Sequence, residues 1–363
     1  MIGTRANVFT KKSWIFLAYP FILNIMKIKN NHKQTSESIK SQQGLTRSKT
    51  QVAFLSEKDI PRTIPAYALG NIDVLQLLSK LPKSALFDLV VTSPPYNVGK
   101  AYEKRQPFDQ YMEWQISVID AILPRLKETG SLCWQVGNYI ENGSIEPLDI
   151  YLHPIFRERG LILRNRIIWH FGHGLHCKKR FSGRYEVILW YTKSEDYTFN
   201  LDAVRIPSKY PGKRSYKGPN AGKLSSNPNG KNPEDVWDIP NVKGNHVEKT
   251  SHPCQFPVGL IERLLLALTK EEHVLFDPFC GVGSAGVAAA VHRRHFLGCD
   301  IVKEYIDTAK ARIEDALTDK CYYRPHTRPI YDHRKSPLSI QPHALVNLER
   351  NKRDGPEWHF HKQ

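Results

Sequence analysis

The chain has 363 residues, 40% hydrophobic and 24% charged, the profile of a soluble globular protein with enough length to bury a sizeable core as one large or two ordinary domains. Its 52 Lys and Arg against 36 Asp and Glu leave a formal charge of +16, which points to a polyanionic partner, most simply nucleic acid, with a merely basic surface as the plain alternative. The six cysteines are scattered without a Cys-x-x-Cys pair, which excludes a disulfide framework and suits a reducing, cytoplasmic setting.

The chain opens on an unusual stretch, "KKSWIFLAYPFILNIM", with two lysines before an apolar run from Trp14 to Met26. That run is shorter than the roughly 20 residues a membrane-spanning helix needs. A signal peptide would end in small residues, but "KIKNNHKQ" follows. Residues 1–60 therefore read as an extension outside the enzyme core, with Met26 as an alternative start and 27–60 as a polar, flexible arm. A membrane anchor is the alternative set against that reading.

Order is expected from about residue 61. "YALGNIDVLQLLSKLP" reads as a short strand, a Gly-Asn turn and a helix carrying Leu75, Leu77, Leu78 and Leu81. The strand "FDLVVT" follows, then a helix over 109–127 and the strand "SLCWQV". "RNRIIWHF" and "EVILWYT" are β-rich and aromatic. From 205 to 250 the composition turns to Gly, Pro, Asn, Ser and Lys, as expected of a surface insertion or, more plainly, a linker. "VWDIP" at its end, with Trp237, is expected to pack the insertion back onto the core. "FPVGLIERLLLALTKEE" has apolar residues at 260, 261, 264, 265 and 268, a helical stripe. Strand "HVLFD", a glycine turn, helix "SAGVAAAVHRR", strand "HFLGCD" and a helix over 303–317 complete the ordered part. Alternating strands and helices predict an α/β fold: a mostly parallel sheet with helices on both faces. The main domain is bounded at 61–320, leaving 321–363 as a basic C-terminal tail.

The glycine turn carries the first chemistry. Gly281-x-Gly283-x-x-Gly286 lies between a strand and a helix, and Asp300 ends the next strand. Such glycines let backbone approach a nucleoside cofactor, and the acid accepts from ribose hydroxyls. Close helix–strand packing is the plain alternative. Asp277, before the first glycine, suits a cofactor with a positive amino group, as S-adenosylmethionine has.

The second chemistry lies in "FDLVVTSPPYNVGKAY", where a strand runs into Ser93-Pro94-Pro95-Tyr96. One proline would end a strand; two need another reason. An exocyclic base amine is a poor nucleophile, because its lone pair is delocalised into the ring. A catalyst must hold it in line and accept hydrogen bonds from its N–H groups. The Ser93 hydroxyl and the Pro94 carbonyl are two acceptors, the prolines fix the carbonyl's direction, and Tyr96 offers a face for a flipped-out base.

These residues resemble the amino-group DNA methyltransferases, whose signature (Asp/Asn/Ser)-Pro-Pro-(Tyr/Phe) is matched by Ser93 to Tyr96. Their Asp-Pro-Phe-x-Gly-x-Gly element is matched by Asp277 to Gly283, and "SHPCQFP" is similar to their His-Pro-x-Gln-(Lys)-Pro element. The order of catalytic motif, basic insertion and cofactor motif resembles the permuted β group, over about Tyr67 to Leu317. The resemblance implies a Rossmann-like methyltransferase fold with a target-recognition insertion, S-adenosylmethionine as cofactor, double-stranded DNA as partner and membership of a restriction-modification system. It calls for no metal, and dimers are common in the family. It implies cofactor contacts from Asp277, Phe279, Gly281, Gly283, Ser284 and Asp300, with His252, Gln255 and Pro257 completing the wall.

Two departures stand out: Phe256 where Lys is usual, and Gly70-Asn71 where Gly-Asp is usual, so that Asn71 takes the acid's place against the cofactor. Serine in the first catalytic position leans toward cytosine-N4, with adenine-N6 as the alternative. A methyltransferase for RNA, or a DNA-binding relative without turnover, stands further off.

"WHFGHGLHCKKRFSGRYE" holds His170, His173, His176 and Cys177, but Gly172 and Gly174 among them argue against a regular helix and no second ligand pair stands near, so a metal site is set aside. A loop beside the active site is the better reading, with Lys178, Lys179, Arg180 and Arg184 meeting phosphates or base edges. Across 205–249 nine Lys/Arg oppose four Asp/Glu, and Lys209, Lys213, Arg214 and Lys217 alternate with Tyr210 and Tyr216, as suits target recognition. Cys280 stands outside the catalytic loop, so it is not read as the nucleophile of carbon-5 methylation.

Overall fold

The computed structural model describes residues 66–335 and 339, apart from 100–102, 173 and 175. The expected extension over 1–60, the alternative start at Met26, His173 and most of the tail lie outside the described residues.

The elements follow the sequence pattern closely. Strand β1 (Tyr67–Asn71) leads into helix α1 (Val74–Lys80), capped by the Asp73 carboxylate, which accepts from the Leu75 and Gln76 N–H groups. Strand β2 (Phe87–Thr92) is buried along its whole length. Helix α2 (Phe108–Ile122) stops five residues short of the expected end. Pro124, which has no N–H to donate, turns the chain into a 3-10 segment at Leu123–Arg125, and strand β3 (Leu126–Val136) begins early.

A hairpin of β4 (Asn138–Glu141) and β5 (Ser144–Pro147) follows, then helix α3 (Leu148–Glu158). Next come β6 (Ile162–His170), β7 (Tyr185–Thr192) and the short β8 (Val236–Asp238). Helix α4 (Val258–Leu268), β9 (Val274–Asp277), α5 (Ser284–Val291), β10 (His295–Asp300) and α6 (Lys303–Leu317) complete the series.

The main sheet runs β1-β10-β9-β2-β3-β7-β6-β8. Pairing is parallel from β1 to β3, antiparallel from β3 through β7 to β6, and parallel again between β6 and β8. A strand buried on both faces has neighbouring side chains in different cores. Leu89 and Val91 face one core, with the apolar sides of α4, α5 and α6; Val90 and Phe87 face the other, with α1, α2 and α3. Phe87 stacks on Phe276 of β9 at 4.5 Å between centroids. Each such buried side chain contributes roughly 1.5–3 kcal/mol.

This topology positions the site. From β9 the chain moves outward to β10, whereas from β2 it moves the opposite way to β3. Between β9 and β2 the carboxyl ends open a crevice, the place where open α/β sheets bind ligands. The Thr92 hydroxyl, at the last residue of β2, donates to Asp277 Oδ1, at the last residue of β9, at 2.8 Å.

The 205–250 segment is built of turns and isolated bridges, such as Ile206 with Lys231, before it returns through β8. There Trp237 is buried beside Trp169 in register and lies under the Arg263 guanidinium at 5.0 Å, so the insertion is anchored as its sequence suggests. The start of the tail is less separate than expected. Residues up to Thr327 belong to the main unit, where the Tyr323 hydroxyl and the His326 N–H both donate to the buried Glu262 carboxylate, at 2.9 and 2.6 Å. In the second unit, Arg328–Gln363, the described part includes a 3-10 turn at His333–Lys335. Among the described residues no helix is long and apolar enough to cross a membrane.

Candidate active site

One cavity of about 620 Å³ joins the two motifs, a volume suited to a nucleoside-sized ligand. At one end it is lined by His252, Gln255, Asp277, Phe279, Gly281, Ser284 and Asp300; at the other by Ser93, Pro94, Pro95, Tyr96, Gln135, Trp169 and Glu186.

The glycine end is shaped by backbone. Gly281 adopts φ +47°, and a Cβ there would come 3.2 Å from His252 Nε2, so only glycine leaves that wall open. Gly283 and Gly286 serve packing instead. A Cβ on Gly283 would lie 2.7 Å from that of Ala309, and one on Gly286 2.4 Å from Ile313 Cδ1. The glycine pattern thus divides between a cradle and a close helix contact.

Two buried acids meet at this end. Burial pushes the Asp277 carboxyl up to about 7, against the bonds from Thr92 and the Phe279 N–H. Asp300 accepts from the Gly281 N–H at 3.1 Å and the Val302 N–H at 2.8 Å, yet burial still raises it. Burial pushes His252 down to about 4, so it stands neutral at pH 7, and its Nδ1 accepts from the Cys254 N–H at 3.1 Å. Burial also raises the Cys280 thiol far above its ordinary value, so it is no nucleophile.

Several expected contacts are committed to the scaffold. The Gln255 amide donates to the Glu248 carbonyl at 2.7 Å and accepts from the Thr250 hydroxyl at 2.8 Å. Ser284 Oγ donates to the Phe256 carbonyl at 2.8 Å. Pro257 caps the start of α4 and does not line the cavity. Asn71 is also turned elsewhere, donating to the carbonyls of Asp300 and Ile301 at 3.1 and 2.9 Å. The acid at the start of the early helix is Asp73, two residues later, and it does line the cavity. Asp73 before Val74-Leu75 was a legible N-cap signal, obscured by the Gly-Asn pair just upstream. Phe256 packs edge-on against Trp169, an apolar wall where the family has a lysine.

At the other end Ser93 Oγ and the Tyr96 hydroxyl lie 2.7 Å apart, and the Tyr96 hydroxyl donates to Glu186 Oε2 at 3.2 Å. The Gln135 amide donates to the same carboxylate oxygen. The Pro95 carbonyl is taken by the Tyr111 hydroxyl at 2.9 Å, whereas the Pro94 carbonyl accepts no hydrogen bond among the described residues. Gly137 explains the fit of the tyrosine ring, since a Cβ there would come 3.0 Å from Tyr96 Cε2. Trp114, Trp169 and Phe171 supply aromatic surface around the same space. Gln135, Glu186, Trp114 and Trp169 sit in strands and helices that read as core, so periodicity alone did not mark them.

The basic residues lie around this chamber. Arg180 lines the mouth and donates to the Gly143 carbonyl at 3.1 Å; Lys178 and Lys179 are exposed beside it. Arg184 donates to the Gly183 carbonyl at 2.9 Å. Lys209, Lys213, Arg214 and Lys217 are all exposed on the insertion. His170 pairs with Asp238 at 2.5 Å, and no cluster of three metal-ligating side chains occurs among the described residues.

A glycine cradle with two acids, opening onto an acceptor loop and an aromatic chamber, defines an α/β transferase with a nucleoside cofactor. The chain belongs to the DNA methylase family of N6- and N4-methyltransferases, whose model matches residues 87–311. It is 45% identical over 254 residues to Type II methyltransferase M.BglII of Bacillus subtilis, covering 69% of this chain and 70% of that one. It is 36% identical over 251 residues to Type II methyltransferase M.ScaI of Streptomyces caespitosus, covering 67% and 79%. Its fold is similar to that of PvuII DNA methyltransferase (cytosine-N4-specific), with a TM-score of 0.54 at 20% identity over 70% of this chain and 92% of that one. The protein is an S-adenosylmethionine-dependent DNA methyltransferase of restriction-modification type.

The cavity fits that cofactor. Among the described residues the buried acid Asp277 has no positive partner of the kind an amino group would supply, Asp300 has lone pairs left for hydroxyls, and Gly281 keeps the wall open.

Proposed function

We propose that the enzyme methylates the exocyclic N4 of a cytosine flipped out of double-stranded DNA at a specific sequence. The observation that carries this reading is Ser93 in the first catalytic position, its hydroxyl turned into a chamber continuous with the cofactor cradle. Serine there is similar to the cytosine-N4 members of the family.

The residues divide the work. Asp277, Phe279, Gly281 and Asp300, with His252 at the wall, hold the cofactor, and Asp73 lies within the same pocket. Gln255, Ser284 and Pro257 keep that wall in shape. When bound, S-adenosylmethionine supplies an electrophilic methyl group. Ser93 Oγ and the Pro94 carbonyl accept the two N–H bonds of the target amine, which fixes the amine's plane and stabilises positive charge as it develops. Tyr96 stacks on the base, and Trp169 and Phe171 close the chamber against water. Lys178, Lys179, Arg180 and Arg184 meet the DNA around the flipped nucleotide, while Lys209, Lys213, Arg214 and Lys217 on the 205–250 insertion engage it further out. Several exposed cations on one loop-rich segment support that assignment.

The test is a product analysis. Unmethylated genomic DNA is incubated with enzyme and cofactor, digested to nucleosides and examined by mass spectrometry. N4-methylcytosine is expected; N6-methyladenine would overturn the choice of base and leave the transfer chemistry in place.

A further inference from the structure

Glu186 is a carboxylate in the wall of a chamber whose proposed reaction releases one proton that needs a destination. Its partners come from three directions: Gln135 from β3, Tyr96 from the catalytic loop and Lys243 from the segment after β8. Trp169 lies opposite it in register on β6, and Arg180 shares the cavity.

The direction of the hydrogen bonds is informative. A tyrosine has one hydroxyl proton, and that of Tyr96 goes to Glu186. The close Ser93–Tyr96 contact must then be made by the serine proton. That leaves Ser93 Oγ with only lone pairs to offer the chamber. An ionised Glu186, two hydroxyls away, thereby makes the serine a pure acceptor.

We propose that Glu186 is the terminal acceptor of the proton released in methyl transfer, reached through Tyr96 and Ser93, and that its ionisation orients both hydroxyls before the reaction. The inference rests on amino-group transfer and holds for either base. The amine's lone pair forms the new N–C bond while the C–S bond breaks and its pair passes to sulfur. One N–H proton moves to Ser93 Oγ as the serine proton moves to Tyr96 and the tyrosine proton to Glu186 Oε2. No other acceptor or oxidant is needed, and Glu186 returns the proton to water when the chamber opens. Burial raises this carboxyl to about 7, against the bonds from Tyr96 and Gln135 and the charge of Lys243, so it has the affinity to hold a proton near neutral pH. Because Glu186 acts through two other groups, it is a positioning residue.

The test is single-turnover methylation of a target duplex at saturating cofactor from pH 5.5 to 9, for wild type, Glu186→Gln, Glu186→Asp and Tyr96→Phe. The wild-type rate should fall about tenfold per pH unit below pH 7, as an essential base is protonated. Glu186→Gln should be slower by roughly 10²- to 10⁴-fold and flat over that range. Its cofactor and duplex affinities should stay within about twofold of wild type. Tyr96→Phe should flatten the profile too, and Glu186→Asp should restore part of the rate together with the acid limb. Infrared difference spectra should show a carboxyl titrating near neutrality that is missing in Glu186→Gln. Wild-type rate in Glu186→Gln would overturn the proposal. So would an acid limb that survives in it, which would assign the limb to Asp277 across the cavity, or a loss of binding that matches the loss of rate. If Glu186→Gln does not fold, the Tyr96→Phe profile decides alone. Absence of any methylated DNA amine with wild type would instead refute the amino-transfer reading itself.

Discussion

Replacing Asp277 with asparagine should stabilise the empty enzyme and cripple the loaded one. The carboxyl is raised from 3.8 to about 7, chiefly by burial. That rise corresponds to about 4 kcal/mol, an upper bound on what ionising the carboxyl costs the apo fold. The sign follows from a raised acid. Below about pH 4 both folded and unfolded chains are protonated and the cost is absent; it grows as pH rises and is complete above pH 7. Asparagine keeps an oxygen for the Thr92 hydroxyl and the Phe279 N–H but carries no charge. Apo Asp277→Asn should therefore melt above wild type at pH 8, by roughly 2–4 °C per kcal/mol recovered, with the gap closing toward pH 4. Cofactor affinity should move the other way. Losing a charge-assisted contact to the amino group costs about 1.5–3 kcal/mol, or roughly 10- to 150-fold in Kd. Scanning calorimetry at pH 5 and pH 8, with isothermal titration of the cofactor, measures both. A variant that melts below wild type at pH 8 and binds cofactor as tightly would refute the reasoning.

Ser93→Ala should lower the single-turnover rate by roughly 10²- to 10³-fold, as loss of an oriented acceptor does, while cofactor Kd stays within about twofold; an unchanged rate would sink the assigned role. Gly283→Ala must place a Cβ 2.7 Å from that of Ala309 at φ +76°, so denaturant unfolding should report a loss of about 2–4 kcal/mol from left-handed strain and overpacking together. A loss under about 1 kcal/mol would mean that α6 moves aside freely. Burial alone would raise Glu262, but bonds from His292 and His326 hold it well below the usual carboxylate range. Its stabilisation should be present above the ordinary carboxylate pKa and be lost as pH falls. Glu262→Ala, which strands those partners, should cost roughly 3–5 kcal/mol at pH 7. Neutralising Lys178 and Lys179 together should flatten the salt dependence of duplex binding by up to about 1.8 in log–log slope, with the rate at saturating DNA unchanged; an unaltered slope would remove them from the DNA contact.

Much of this was legible because the sequence repeats itself across levels. In β9 and β10 the apolar runs, the glycine turn and the acids agree, and the strands fall where the pattern puts them. Helix α3 was missed because Pro154 lies inside it and Pro147 precedes it, so the breaker signals outweighed the buried stripe of Leu148, Leu152 and Phe156. Asn71 is held away from the cavity for a local reason. Its side chain is next to the end of β10, where it closes two carbonyls, and the capping acid Asp73 faces the cavity instead. Glu186 was hidden for a topological one. It is the second residue of an otherwise apolar strand, and only the antiparallel return of β7 beside β3 brings it to Gln135 and Tyr96.

The same topology explains how the motif order along the chain can be changed without changing the chemistry. In the proposed reading the cofactor contacts come from the ends of β9 and β10 and the amine acceptors from the end of β2, while the far wall of the cavity is built by β3, β6 and β7. None of these needs to precede another in sequence. What brings the two motifs together is that β2 and β9 are neighbours, so that Thr92 ties the Ser-Pro-Pro-Tyr loop to Asp277. The three groups also differ in what they control. Changes on β9 should alter cofactor affinity, changes on β2 the rate of transfer, and changes on the 178–184 loop the affinity for DNA. Glu186 is the exception that joins them, because it stands on the far wall yet is linked by hydrogen bonds through Tyr96 to Ser93. A substitution there should change the rate and its pH dependence while leaving both affinities alone, and loss of the Tyr96 hydroxyl through which it acts should do the same.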